Sequence, residues 1–123
     1  MTAPRTVTIP TCDHGQVTIP EPSWCNGQHP ADGYRDDIVH ASDETRHYIE
    51  TSIGPVSVQT GCGQYVYGTP DRTAPYLVTE VEAVLYPETL GQVEEVAAAL
   101  VEAAGYLRTL RPQLTAIRSE ADR

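Results

Sequence analysis

Cysteine and histidine side chains give this sequence its clearest chemical potential, because thiolate and imidazole groups bind transition metals. Five of the seven fall between residues 12 and 40; the full set is Cys12, His14, Cys25, His29, His40, His47 and Cys62. Cys25 and His29 are four positions apart on a glycine-containing turn, and His40 follows at the end of a predicted strand. Zinc favours four-coordinate sites of this donor type. We therefore predict that Cys25, His29 and His40 supply three ligands of a zinc site.

The fourth ligand is open on the sequence alone. We place Cys12 with the three residues above in the predicted metal site, although it lies in the loop of a predicted hairpin. The return strand carries the chain about 13 Å away from that loop before Cys25 is reached. His14 has the same difficulty, Glu21 offers a carboxylate nearer in sequence, and Cys62 lies between two glycines. The alternative is that Cys25 is a buried small apolar residue and the histidines only form hydrogen bonds.

An irregular segment, residues 20–34, separates these candidates. Proline and glycine occur too densely there for a helix or a strand. Irregular segments of this length in a small domain are usually functional or held by another group. The segment contains Trp24, Cys25 and His29, so a bound metal is the group that we expect to hold it.

Short segments rich in β-branched and aromatic residues predict strands on both sides of this loop. Residues 6–9 and 16–19 are near-copies joined by turn-forming residues, and they predict a hairpin. The other strand candidates are residues 37–40, 46–53, 56–59, 64–67 and 76–85. Gly61-Cys62-Gly63 is predicted to be a turn between two of them.

The hydrophobic period changes to that of a helix over residues 87–111. The stripe predicted to pack inward is Val93, Val96, Ala97, Leu100, Val101, Ala104 and Leu107. Pro112 should end or kink this helix, and residues 112–123 form a short second helix or a tail. The predicted fold class is α+β: one domain over residues 1–123, mainly β over 1–86. An antiparallel sheet of five to seven short strands is followed by one long C-terminal helix packed on one face.

Composition limits the classes of partner. The net charge is −9, from 17 acidic and eight basic residues, which disfavours direct binding to nucleic acid. The stretch from Glu80 to Glu102 contains six acids and no base, so an acidic decoy for a basic, DNA-binding protein is one alternative function. No apolar run is long enough to span a bilayer, and three cysteines do not suggest a disulfide framework. We expect a cytoplasmic protein with an unidentified protein partner and no contact with membranes.

Three segments together resemble an uncharacterised family of small actinobacterial proteins, a domain of unknown function. They are residues 21–29 (Glu-Pro-Ser-Trp-Cys-Asn-Gly-Gln-His), 38–40 (Ile-Val-His) and 86–90 (Tyr-Pro-Glu-Thr-Leu). Members of the family commonly have Cys-Pro-x-Trp-Cys followed by His, a second His before a strand, and an Ala/Leu-rich C-terminal helix. The resemblance implies that Cys25, His29 and His40 occupy the family's presumed ligand positions. Glu21 stands where the family has its first Cys, and Tyr86 replaces the usual capping Thr.

These observations favour a small accessory or interaction protein with a structural zinc site. An alternative is a zinc-dependent hydrolase or lyase with an open coordination position and Glu21 or Asp36 as the general base. The sequence has no nucleophile motif and no nucleotide-binding motif, so the hypothesis that the protein is an enzyme is less favoured. The apolar stripe of the helix could cover the sheet or pair with a second copy of the chain, and the sequence leaves a homodimer open.

Overall fold

The α+β prediction is confirmed by a computed structural model, which describes residues 5–122. These residues form six strands, a 3₁₀ turn (Arg35–Asp37), one short α-helical turn and a long, bent C-terminal helix. The elements are β1 (Arg5–Thr11), β2 (Gly15–Glu21), β3 (Val39–Ala41), β4 (Thr45–Thr51), β5 (Gly54–Tyr65), α1 (Pro70–Thr73), β6 (Tyr76–Glu82), α2 (Leu90–Arg108) and α3 (Arg111–Ala121).

Strands β1 and β2 form the predicted hairpin as a separate two-stranded antiparallel sheet. The three loop residues 12–14 are followed by Gly15 at φ +62°, a left-handed conformation that suits glycine in such a hairpin. Alternate residues point to one buried face, where Ile9 and Ile19 pack with Ile38. This small core joins the hairpin to the rest of the molecule.

The second sheet has four strands with β5 at its centre. Strands β3 and β4 pair with successive parts of one edge of β5, and β6 pairs with the other edge, all antiparallel. Val56 and Val58 are fully buried on β5 and pack with Ile49 of β4. These three side chains form the core under the C-terminal helix.

The predicted turn at residues 61–63 is wrong, because β5 continues through it and pairs with β6 at all three positions. The glycines allow close packing rather than a chain reversal. A Cβ atom on Gly63 would lie within 2.6–2.7 Å of atoms of the Tyr76 side chain. Glycine in a strand commonly marks such a close approach, which local turn statistics do not distinguish.

Helix α2 begins after Thr89, whose hydroxyl accepts a hydrogen bond of 3.1 Å from the backbone N–H of Gln92. Ala99 and Ala103 are its buried residues, and they pack on the core of the four-stranded sheet. The predicted inward stripe is therefore wrong in part: Val93, Leu100 and Val101 are exposed. Small side chains allow the helix to approach the sheet closely, so the alanine face packs inward and the larger residues face outward.

The C-terminal residues continue as α3 after a bend at Thr109 and Leu110. Ile117 is buried, and the Arg118 side chain donates a hydrogen bond of 3.2 Å to the carbonyl of Pro75. Helix α3 thus packs against the segment that precedes β6. Among the described residues, no helix combines the length and hydrophobicity needed to cross a bilayer.

Candidate metal centre

Glu21 reaches the site because it continues the alternating pattern of β2. Val17, Ile19 and Glu21 are two residues apart, so their side chains share the buried face of the hairpin. The Glu21 side chain is 2% exposed. A carboxylate on a buried face needs polar partners, since an unpaired buried charge is strongly destabilising.

Cys25 and His29 are positioned by the loop that follows β2. The backbone N–H of Cys25 donates to the carbonyl of Pro22 at 3.1 Å, and that of Asn26 donates to the carbonyl of Ala41 at 2.8 Å. Gly27 has φ +78°, which favours glycine and lets the chain reverse between the two candidate ligands. The loop therefore turns both side chains toward Glu21.

His40 comes from the other sheet. It is the middle residue of β3, it pairs with Gln64 of β5, and it is buried. Its ring packs edge-on against the ring of Trp24, with 6.3 Å between centroids, and against that of His29 at 5.7 Å. The two sheets and the intervening loop thus meet at one group of side chains.

The four donor atoms of Glu21, Cys25, His29 and His40 lie within 4.8 Å of one another. Glu21 Oε1 is 3.5 Å from Cys25 Sγ, 3.4 Å from His40 Nδ1 and in contact with His29 Nε2. Cys25 Sγ is 3.8 Å from His29 Nε2. A tetrahedral ion with bonds of roughly 2.0–2.3 Å holds its ligand atoms roughly 3.3–3.8 Å apart. All three of these distances fall in that interval, so the group is compact enough to hold one ion.

Two imidazole nitrogens at the site are buried without a hydrogen-bond partner: His29 Nδ1 and His40 Nδ1. His40 Nδ1 lies near Glu21 Oε1, but the alignment is not that of a hydrogen bond. Buried polar atoms are nearly always satisfied in folded proteins. His40 Nδ1 is aimed into the group and is free to bind a metal there.

Electrostatics at Glu21 and His40 favour the forms of these two side chains that bind metals. Burial raises the pKa of Glu21, but its interactions with His29, Cys25 and His40 outweigh burial and hold the pKa below its ordinary value. Burial lowers the pKa of His40, and the Glu21 carboxylate opposes this only in part. Glu21 is therefore favoured as the carboxylate and His40 as the neutral imidazole, which are the states that bind metals.

Arg5 fixes the site from outside. Its guanidinium donates to the carbonyl of Cys25 at 2.8 Å and lies 3.6 Å from Glu21 Oε2. The two carboxylate oxygens thus have separate roles: Oε2 faces Arg5, and Oε1 faces Cys25, His29 and His40. Arg5 supports the backbone of one candidate ligand and the orientation of another. Sequence reasoning missed this contact because it joins residues 20 positions apart.

The structure does not bring Cys12 into the group. Cys12 is exposed in the β1–β2 loop, and the neighbouring His14 pairs with Asp13 at 2.9 Å. Cys62 is buried on β5, where burial raises the pKa of its thiol and the Gln113 side chain donates to its sulfur at 3.3 Å. His47 stacks on Tyr106 with ring centroids 4.4 Å apart. Glu21 is therefore the fourth residue of the group, the ligand position that the sequence alone left open.

A groove of about 860 Å³ borders the site on the side of β2 and α3. Its wall includes Glu21, Trp24 and His40, together with Tyr65 and Ile117. Glu120 of α3 also lines the groove, and its carboxylate accepts a hydrogen bond of 2.9 Å from the Ser23 hydroxyl. The groove brings the outer edge of the site close to solvent, although the ligand side chains are buried.

The comparison with known protein families gives a match over most of the chain. The sequence model of a domain of unknown function, DUF6907, matches residues 6–116, and this range contains all four residues of the site. No curated protein and no solved structure matches the chain.

Proposed function

We propose that the chain, which belongs to the DUF6907 family of domains of unknown function, is a small interaction domain held together by a structural zinc ion. Glu21, Cys25, His29 and His40 are the proposed ligands. The observation that carries the proposal is the buried, unpartnered Nδ1 of His40, which lies 3.4 Å from the Glu21 carboxylate in a group that also contains a thiol and a second imidazole.

The donor set supports zinc among the common metals. One thiolate and two imidazoles are borderline-soft donors that suit zinc, and carboxylate oxygen is a regular fourth ligand. Calcium and magnesium prefer six or more oxygen donors, which this group does not supply. A buried site of one sulfur, two nitrogen and one oxygen atoms therefore fits a four-coordinate zinc ion.

A structural role follows from the number and burial of the ligands. Structural zinc sites are closed by four protein ligands, whereas catalytic sites keep one position for water. The side chains of Glu21, His29 and His40 are 2%, 3% and 6% exposed. An ion bound there would join the hairpin, the loop and the four-stranded sheet, and its binding energy would contribute to folding.

The interaction role is supported by the surface. Eight of the ten exposed large hydrophobic residues among those described lie between residues 78 and 101, on or between β6 and α2. Apolar side chains concentrated in this way commonly mark a surface that binds another protein.

A zinc-dependent hydrolase or lyase is the second candidate, and the groove is the observation that favours it. Glu21 and His40 both line the groove, so displacement of one ligand would open a coordination position toward it. A zinc ion with an open position lowers the pKa of bound water and polarises a substrate oxygen. The two candidates differ in coordination number, which makes them separable.

Elemental analysis of purified, untagged protein tests the proposal. We expect about one zinc ion per chain in the wild type and a large loss in Cys25→Ser and His40→Ala. Cys12→Ser and His14→Gln are the matched controls, because they remove the same residue types from exposed positions, and they should retain zinc. A wild type that neither contains zinc nor takes it up at a one-to-one ratio would overturn the proposal.

Cobalt substitution separates the structural from the catalytic candidate. A closed site should give the intense visible bands of tetrahedral cobalt with a thiolate charge-transfer band, unchanged by added azide. An open site should change its spectrum when azide binds. Trp24 is the only tryptophan, and its ring lies against that of His40, so its fluorescence gives an independent signal of metal binding.

A further inference from the structure

The outward face of α2 is apolar beyond what the sheet covers. Leu90, Val93, Leu100 and Val101 are 87%, 47%, 48% and 72% exposed, whereas Ala99 and Ala103 on the adjoining face are buried. At 100° per residue, the apolar side chains occupy more than half of the helix circumference. A helix that packs on one sheet needs an apolar stripe narrower than this one. The exposed part of the apolar surface of α2 therefore has no partner within the described chain.

The charges beside this surface have a regular spacing. Glu94, Val101 and Arg108 are seven residues apart, which is about two helical turns, so they lie in one line along the helix. All three are exposed. An acid stands at one end of the line, a base at the other, and an apolar residue between them.

We propose that the chain forms an antiparallel homodimer in which this face of α2 packs against the same face of a second copy. A two-fold axis at Val101 places Glu94 opposite the second copy's Arg108 and Arg108 opposite the second copy's Glu94. A parallel arrangement would instead set Glu94 against the same glutamate. Antiparallel helices also align their dipoles favourably.

The apolar side chains suit this arrangement. Val93 and Leu100 form a second line of side chains, parallel to the line of Glu94, Val101 and Arg108. Ala97 and Ala104 lie between these two lines, and the two members of each pair are seven residues apart. Small residues between larger ones allow the ridges of one helix to fit the grooves of another. Two-fold interfaces are self-complementary patches of this kind. This inference gives the proposed interaction role one partner, a second copy, and does not depend on the zinc ion.

Sedimentation velocity over a range of protein concentrations tests the dimer. We expect the wild type to have twice the 13.4 kDa chain mass. Leu100→Glu and Val101→Glu should raise the dissociation constant by about tenfold or more, because each places a charge in the apolar contact. Ala98→Glu is the matched control: Ala98 is exposed on α2 but faces away from Leu100, and this variant should remain dimeric.

Charge reversal tests the orientation. Glu94→Arg and Arg108→Glu should each weaken the dimer several-fold, and the double variant should recover affinity because the reciprocal pairs are restored in the opposite sense. Zinc content is measured on every variant, so that loss of the metal and loss of the dimer are distinguished. A monomeric wild type at all concentrations, equal disruption by Ala98→Glu, or no recovery in the double variant would overturn the proposal.

Discussion

Glu21 and His40 lie in different sheets, yet Glu21 Oε1 is 3.4 Å from His40 Nδ1. Glu21 ends the two-stranded hairpin, and His40 lies in β3 of the four-stranded sheet. The small core of Ile9, Ile19 and Ile38 is a second contact between the hairpin and the segment that leads into β3. The core of the larger sheet, with Ile49, Val56 and Val58, is a separate cluster. The candidate metal site therefore joins two parts of the molecule that have distinct cores.

Removal of the metal should loosen one part of the fold and leave the other intact. We expect a strong chelator to increase hydrogen exchange in β1, β2 and the loop that follows them. Exchange in β4, β5 and α2 should change little, because their core does not include the site. Mass spectrometry of peptides from protein with and without zinc measures this. Uniform deprotection across both parts would contradict a local role for the metal.

Arg5→Met should weaken metal binding although it removes no ligand. Arg5 donates to the Cys25 carbonyl and orients the Glu21 carboxylate, and loss of such supporting contacts typically lowers metal affinity by about 10- to 100-fold. Competition with a chromogenic chelator measures the affinity. Arg46→Met is the control, since Arg46 is also exposed but lies on β4 and bonds to Gln59. Equal affinities in both variants would remove Arg5 from the supporting role.

Glu95→Gln should destabilise the protein at neutral pH and not in acid. The backbone N–H and hydroxyl of Ser52 donate to Glu95 at 3.0 and 2.5 Å, and these bonds lower the pKa of the carboxyl. A lowered folded-state pKa gives stability that is present above the unfolded value of 4.5 and is lost as pH falls through the folded value.

The difference in melting temperature between wild type and Glu95→Gln should therefore be larger at pH 7 than at pH 3. Glu94→Gln is the matched control for fold stability, because Glu94 is the exposed neighbouring acid on the same helix. We compare these variants at a protein concentration low enough to keep every chain monomeric. A difference that does not change with pH would assign the effect to packing instead.

Gly63→Ala should destabilise the fold by about 1–3 kcal/mol, because the new methyl group would overlap the Tyr76 side chain. Gly61→Ala is the internal control on the same face of β5, where the nearest atom to the added Cβ is Glu44 Cγ at 3.4 Å. Urea unfolding of both variants gives the comparison. Equal losses of stability would show that the ring of Tyr76 moves aside without cost.

Several features of the fold and the site follow from local sequence. The β-branched segments at residues 6–9 and 16–19, joined by turn-forming residues, predict the hairpin, and the structure confirms it. The change to helical spacing after residue 87 predicts the C-terminal helix. In the structure this helix begins at Leu90. The donor types of Cys25, His29 and His40 indicate transition-metal chemistry. Each of these inferences rests on the properties or spacing of residues near one another in the chain.

The tertiary structure alone decided which candidate completes the group and which face of α2 is covered. Cys12, His14, Glu21 and Cys62 all carry possible ligands, but only the packing of the hairpin against β3 brings Glu21 next to His40. Helical spacing marks an apolar arc on α2, yet the close approach allowed by Ala99 and Ala103 selects the buried part. Local periodicity reports which way a side chain points within its own element. The distance between elements depends on how whole surfaces pack, which no short segment contains.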